Sequence, residues 1–427
     1  MLALVSASDA LMLGMIKQDA MSAVSLATQV TFVENLFLAA MTIGLSMIAA
    51  QYWGKKDIGA VEHIFAYVMK ITVSASFVFF LSALFIPKIL MQIFTNDVIL
   101  IEGGSDYLRI VSISYLLTTI SQIYLCVLKN SSKAKAASTI SSVSVVINII
   151  LNAIFIFGLL GMPRMEIAGA ALATVIARLI EVLWCVAETL KKSSVKLRMK
   201  NIIKTDKTLI RSFWKYTLPV LENEIVWGIG FTMYSVIMGH MGTDAVAANS
   251  IANIVKNLIA CVCLGLASGS GIMVGNELGA GKPDTAKEYG SKLCVFAVIS
   301  GVLSGAFLLV ISPFILSIAN LTEQAAQYLK WMLVICSFFM IGKSINSTTI
   351  AGIFCAGGDS KFGFLCDTIT MWCITVPLGL ICAFVFDLPV LAVYFVISLD
   401  EFVKLPAVYK HYKKYKWVKD ITQMKEV

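Results

Sequence analysis

Apolar stretches of about 20 residues recur along the whole chain, separated by short polar segments. A helix of about 20 apolar residues crosses the roughly 30 Å core of a bilayer, whereas a barrel strand alternates over about 10 residues. Because backbone polar groups in lipid must be paired internally, continuous apolar runs of this length indicate helices. The pattern predicts twelve membrane spans, at residues 1–15, 20–52, 63–86, 106–128, 137–160, 167–190, 213–239, 244–277, 288–312, 325–353, 361–385 and 388–409.

The composition supports this prediction. Of the 427 residues, 58% are hydrophobic and 14% are charged, which leaves too little polar surface for a soluble protein of this size. Ten cysteines are scattered, mostly inside apolar runs, and the three histidines, His63, His240 and His411, lie far apart. These spacings favour neither a disulfide framework nor a metal site. We therefore expect an all-α polytopic membrane protein without a resident cofactor.

Lysine and arginine are distributed unevenly between alternate connections. The even-numbered connections, with the stretch Lys191–Lys215 and the C-terminal segment from Lys404 to Lys425, carry 25 of them, and the opposite side carries 5. Because such residues concentrate on the cytoplasmic side, the bias predicts a multi-pass protein of the inner (cytoplasmic) membrane with both ends cytoplasmic. The basic tail could suggest nucleic-acid binding, but contact with anionic headgroups is the simpler interpretation. We expect no nucleic-acid partner.

The two halves of the chain resemble each other at an offset of 225 residues. Within residues 19–30, six of twelve positions are identical to their partners in the second half. Six spans in each half return the chain to its starting side, so we expect two parallel six-helix bundles. The predicted domains are an N-terminal lobe at 1–190, a basic linker at 191–212, a C-terminal lobe at 213–409 and a basic cytoplasmic tail at 410–427.

The first predicted span is too short to cross a bilayer. Its 15 residues extend about 22 Å at 1.5 Å per residue, against a core of about 30 Å. The repeat partner of Pro219 would also fall before Met1. We therefore expect the chain to begin inside its first helix.

Ionisable residues inside spans are costly and are functional candidates for that reason. Arg178 and Glu181 lie three apart on one helix face, which favours a structural ion pair. Asn148 and Asn152 lie one helical turn apart in the fifth span and could either bond between helices or share a cation. The ionisable candidates within the spans are Asp9, Glu34, Lys70, Arg178, Glu181, Glu224, Lys256, Lys343 and Asp367.

Five segments carry a further signal, and they are Ser8–Gly14, Ala50–Asp57, Asn148–Asn152, Gly169–Thr174 and Ala356–Ser360. In sequence and in order they resemble the multidrug and toxic compound extrusion (MATE) family. The resemblance implies twelve helices in two bundles and efflux of small organic compounds, driven by entry of Na⁺ or H⁺. Acidic groups near the cavity would favour organic cations as substrates.

The resemblance also implies a cation-coupling site in the N-terminal lobe, formed by Asp9, Asn148, Asn152 and Thr174. The family often has aspartate at the position of Asn152, so this chain would hold one carboxylate there. That favours Na⁺ or a single proton over a two-proton scheme. Glu34 has no counterpart role in the family. Candidates for the substrate cavity or a second cation site are Glu34, Glu224, Tyr234 and Lys343.

Two functions are alternatives to multidrug efflux, one that of a flippase and one that of an enzyme. A lipid-linked or oligosaccharide flippase of the same wider superfamily would need a strongly cationic cavity, and Lys343 facing the cavity would support it. A polytopic membrane enzyme would need a cluster of histidine or acidic residues at a membrane face, which the sequence does not show. The expected partners are therefore a small organic molecule and the lipid bilayer, and we expect a monomer that is not an enzyme.

Overall fold

The computed structural model describes residues 5, 8–9, 12–13, 16, 18–191, 195–198, 200–201, 206–319 and 321–423. Helices make up the ordered elements of this described part. Nine of the helices found there are long and apolar enough to cross a membrane. These features confirm the predicted all-α polytopic fold.

The first compact unit, unit 1, comprises Met1–Leu45 and Ile58–Ile210. Of the predicted first span, the structure describes Val5, Ser8, Asp9, Met12 and Leu13, all helical, and the remainder, Gly14 included, lies outside the described residues. The helices that follow are α1 (Gln18–Gly54), α2 (Ile58–Phe85), α3 (Pro87–Gln92), α4 (Val98–Asn130), α5 (Ala134–Phe157) and α6 (Glu166–Thr189).

The second compact unit, unit 2, comprises Ser46–Asp57, which includes the last turns of α1, together with Arg211–Val427. Its other helices are α7 (Lys207–Gly239), α8 (Thr243–Gly279), α9 (Pro283–Ile318), α10 (Glu323–Asn346), α11 (Ser360–Thr368), α12 (Val376–Phe384), α13 (Val390–Ile397) and α14 (Asp400–Tyr412). Wide π-helical turns, Ser347–Phe354 and Ile369–Thr375, extend α10 and join α11 to α12.

From the second span onward, the predicted boundaries agree with these helices to within eight residues, the largest error being the start of α4 at Val98 instead of residue 106, and there are two further differences. The short helix α3 was not predicted, and it begins at Pro87, whose fixed φ suits a first helical position. The last predicted span, 388–409, is broken between α13 and α14. Asp400 Oδ1 accepts the backbone N–H of Glu401 at 2.8 Å, which satisfies a buried donor at the start of the new helix.

The offset of 225 residues reappears in the helix boundaries. Adding 225 to the bounds of α1 gives those of α8, and the same shift takes the first residues of α2 and α4 to those of α9 and α10. The N-caps correspond too, since Asp97 accepts from Ile99 N and Thr322 accepts from Ala325 N. The duplication therefore preserved where helices begin.

The ends of α1 and α8 cross closely within unit 2 because both carry glycine at the crossing. A Cβ added at Gly54 would collide with the Asn276 carbonyl, and one added at Gly279 would collide with the Gln51 carbonyl. Positions 51 and 276 are themselves repeat partners, as are positions 54 and 279. The contact is therefore reciprocal, and small residues at both positions let the backbones approach.

Gln51 also anchors the C-terminal tail. Its Nε2 donates to the carbonyls of Ala356 at 2.7 Å and Lys419 at 3.0 Å, and its Oε1 accepts from Ile421 N at 2.8 Å. The Trp417 ring is fully buried, and a Cβ at Gly357 would collide with the Trp417 carbonyl. The tail's lysines from Lys410 to Lys419 are exposed. One face of the tail is thus packed on unit 2 while its charges stay available to solvent or headgroups.

We expect Trp417→Ala to destabilise unit 2 by about 3–5 kcal/mol, the usual cost of deleting a buried large aromatic ring. Denaturant-induced unfolding in detergent micelles, followed by circular dichroism, measures this. Trp331→Ala is the matched control, because Trp331 is 52% exposed on α10 and its loss leaves no internal cavity. Equal unfolding midpoints for the two variants would contradict the tail's structural role.

Candidate functional site

The four residues predicted for the coupling site lie together inside unit 1. Asn152 Nδ2 donates to Asp9 Oδ1 at 2.5 Å and to Asn148 Oδ1 at 3.2 Å. Asn148 Nδ2 donates to Thr174 Oγ1 at 3.3 Å. All four side chains are buried. The structure therefore brings the residues into one hydrogen-bonded cluster, although their role in coupling stays a prediction.

One oxygen of this cluster has no protein partner. Asn152 Oδ1 is buried and accepts no hydrogen bond from the described residues. Asp9 makes no ion pair there, but it interacts electrostatically with Arg178 and with the Thr174 hydroxyl. A carboxylate, amide oxygens and a hydroxyl form the kind of oxygen set that binds hard cations.

The predicted pairing of Arg178 with Glu181 is present. Arg178 Nη1 donates to Glu181 Oε2 at 2.6 Å, and Ser121 Oγ donates to the same oxygen at 2.9 Å. Both charged side chains are buried, so the pair neutralises charge inside unit 1. This arrangement supports the structural interpretation of the pair.

Glu34 forms a separate buried cluster in unit 1. Ser76 Oγ donates to Glu34 Oε1 at 2.6 Å, and Thr119 Oγ1 donates to the same oxygen at 3.5 Å. The two hydroxyls also bond to each other. Tyr115 and Thr31 lie nearby, joined by a hydroxyl contact of 3.4 Å.

Unit 2 contains a dense cluster of charges. Lys404 Nζ lies 2.8 Å from Asp367 Oδ1, 3.7 Å from Glu401 Oε2 and 3.9 Å from Asp400 Oδ2. Lys343 Nζ lies 3.2 Å from Glu401 Oε1. Two lysines thus neutralise most of the charge of three carboxylates in an apolar interior. Lys404 is 3% exposed, so it does not belong with the exposed cytoplasmic lysines among which the sequence pattern placed it.

A cavity in unit 2 adjoins this cluster, and it encloses about 640 Å³ counting its open mouth. Two of the candidate residues, Tyr234 and Lys343, line the cavity, whereas Glu224 is not part of its lining, and a role of the cavity in binding substrate stays a prediction. The aromatic side chains Trp227, Phe231 and Phe339 form much of its apolar wall.

Lys256 also lines the cavity. Its ammonium lies 5.1 Å from the Phe339 ring centroid and 5.7 Å from that of Phe231. Within the described chain it forms no ion pair, and its electrostatic interaction with Asp400 acts at longer range. Lys256 is therefore a cation exposed to whatever enters the cavity.

Sequence reasoning missed Asp400, Glu401 and Lys404 as intramembrane charges. The signal was present in the sequence, because Lys404 follows the acidic pair Asp400 and Glu401 within about one helical turn. It was overlooked because these residues lie near the end of the last predicted span. Ser76 and Thr119 were missed for another reason: nothing in sequence spacing relates them to Glu34.

The MatE family model matches residues 1–154 and 220–381. Among related proteins, an uncharacterised transporter, YisQ, of Bacillus subtilis is 20% identical over 96% of this chain and 90% of its own length. A probable multidrug resistance protein, NorM, of Halalkalibacterium halodurans is 24% identical over 81% of this chain and 76% of its own length.

Solved structures show the same fold. A transporter of the MOP superfamily from Pyrococcus furiosus superposes with a TM-score of 0.86 at 16% identity, over 99% of this chain and 93% of that one. A multidrug resistance MATE family transporter described as outward-facing gives 0.87 at 15% identity, with the same coverage. With the family model covering most of both halves, the chain belongs to the MatE family of multidrug and toxic compound extrusion transporters, which are not enzymes.

Proposed function

We propose that this protein is an antiporter of the inner membrane, with both ends cytoplasmic, that exports small organic compounds in exchange for Na⁺ or H⁺. The observation that carries the proposal is the Asp9 cluster of unit 1. A carboxyl group buried in the membrane interior is costly, and such groups are found mainly on ion and substrate pathways. Here it lies beside an amide oxygen, Asn152 Oδ1, that no described protein group satisfies.

The cluster offers oxygen ligands without bringing a second carboxylate. Asp9 supplies the charge, while Asn148, Asn152 and Thr174 supply neutral oxygens. Neutralising Asp9 with an incoming cation removes a buried charge and so favours one conformational state over the other. The cation and the organic substrate then bind in alternation, which is the basis of antiport by alternating access.

We expect Asp9→Asn to abolish ion-driven export, because the amide can neither carry a proton nor balance the charge of Na⁺. Everted vesicles test this with the fluorescent cation ethidium under separate Na⁺ and H⁺ gradients. Asp19→Asn is the matched control, since Asp19 is exposed at the start of α1. Wild-type export by Asp9→Asn would remove Asp9 from the mechanism, and export insensitive to both gradients would exclude antiport.

The flippase alternative has one observation in its favour. Lys343 lines the cavity of unit 2, as that alternative requires. However, Glu401 lies 3.2 Å from its ammonium, so Lys343 does not make the cavity strongly cationic. The ion pair therefore favours export of small organic compounds over binding of an anionic lipid-linked substrate.

Substitution of Lys256 tests the expectation that the exported compounds are organic cations. Its unpaired ammonium would repel a cation in the cavity, and such like-charge contacts cost up to several kcal/mol. We therefore expect Lys256→Met to bind ethidium about tenfold more tightly than the wild type, measured by fluorescence anisotropy on purified protein. Lys330→Met, which alters an exposed lysine, is expected to leave the affinity unchanged. Weaker binding by Lys256→Met would argue against cationic substrates in this cavity.

A further inference from the structure

The carboxyl group of Glu34 is the buried acid that the proposed coupling scheme leaves unexplained. It is 2% exposed, on the part of α1 that belongs to unit 1. Its hydrogen-bond partners are the hydroxyls of Ser76 on α2 and Thr119 on α4. Within the described residues no lysine, arginine or histidine forms an ion pair with it. Lys70, six residues before Ser76 on α2, is exposed.

Two other buried glutamates of this protein form ion pairs with basic side chains. Glu181 has Arg178 at 2.6 Å, and Glu401 has Lys343 at 3.2 Å and Lys404 at 3.7 Å. An ionised carboxylate held only by hydroxyls would keep a large desolvation cost that such bonds do not repay. Glu34 must therefore carry a neutralising cation, and the only question is whether that cation is a metal ion or a proton.

The geometry of the hydroxyls favours a proton. Ser76 Oγ lies 2.6 Å from Glu34 Oε1 and is also hydrogen-bonded to Thr119 Oγ1, so a hydrogen atom lies between the two oxygens of each pair. Oxygens about 2.4 Å from a hard cation in octahedral coordination lie about 3.4 Å from one another. The three oxygens are packed too closely around Ser76 to share such an ion.

We propose that Glu34 is a second proton-binding site of unit 1, separate from the Asp9 cluster, and that it exchanges its proton with water during transport. The proton is taken from water on one side of the membrane and returned to water on the other, so the carboxyl group ends each cycle unchanged. The site's role in transport rests on the antiport function proposed above. Glu34 would supply to unit 1 the second ionisable group that is missing at the position of Asn152.

Two buried tyrosines of α4 interact with the two acids. Tyr107 interacts electrostatically with Asp9 and with Tyr115, and Tyr115 interacts with Glu34. The two tyrosines are eight residues apart, close to two helical turns, and so share one face of α4. Among the described residues, Tyr115 is a titratable group that interacts with Glu34, and through this pair of tyrosines the charge state of one acid can influence the other.

Infrared difference spectroscopy of the purified protein tests the proposal without a substrate. A protonated buried carboxyl has a carbonyl stretching band distinct from that of a carboxylate. We expect the wild type to show this band, to shift it in D₂O and to lose it at alkaline pH. Glu34→Gln should lack this component, while Asp9→Asn and the exposed-site control Glu222→Gln should retain it.

Three outcomes would overturn the proposal. A band that is unchanged in Glu34→Gln would mean that Glu34 is ionised in the wild type. It could disappear when Na⁺ is added at constant pH, which would identify a metal-ion site. It could ignore both D₂O and pH, which would mark a sealed structural acid. If Glu34→Gln fails to fold, Ser76→Ala keeps the carboxyl and should shift the same band by removing its 2.6 Å partner.

A transport measurement then separates this proposal from the antiport function. In proteoliposomes, Glu34→Gln should move one proton fewer per exported ethidium molecule than the wild type. An unchanged ratio would overturn the role of Glu34 in transport even where its band behaves as expected. Absence of any ion-driven export in the wild type would instead refute antiport and leave the spectroscopic result standing.

Discussion

The energetic cost of burying charge in an apolar interior is the constraint on which the chemistry of both units depends. A membrane protein cannot leave an ionised group there unless a partner neutralises it. Unit 2 meets this requirement internally, since Lys343 and Lys404 lie among Asp367, Asp400 and Glu401. These ion pairs neutralise one another, and the pair between Lys343 and Glu401 joins α10 to α14.

Unit 1 meets the same requirement differently. Arg178 is paired with Glu181, but Asp9 and Glu34 have mainly neutral polar partners. Neutral partners leave the protonation or ion occupancy of these acids free to change. This difference makes unit 1 the better place for ion coupling, whereas unit 2 offers a cavity with an aromatic wall and with Lys256, which forms no ion pair within the described part of the chain.

The internal duplication shows how one helical scaffold came to hold two kinds of chemistry. Helix starts and N-caps are retained at the offset of 225 residues, and the glycines at the crossing of α1 and α8 are retained as well. The functional side chains are not: Glu34 corresponds to Ile259, and Lys256 to Thr31. Backbone approach and helix capping constrain the residue type at a few positions, whereas interior polar groups can diverge once their partners change with them.

The sequence by itself determined the twelve spans, the repeat and the family, because lipid forces long apolar runs into helices and close crossings require small residues. It also placed Asn148 and Asn152 on one helix face and paired Arg178 with Glu181, since both relations follow from helical spacing. Only the tertiary structure joined Ser76 and Thr119 to Glu34, Lys404 to Asp367 and the tail to Gln51. These contacts link residues 37 to 370 positions apart in the sequence. No local pattern encodes the relative rotation of the segments that carry them, so packing alone decides which polar groups meet.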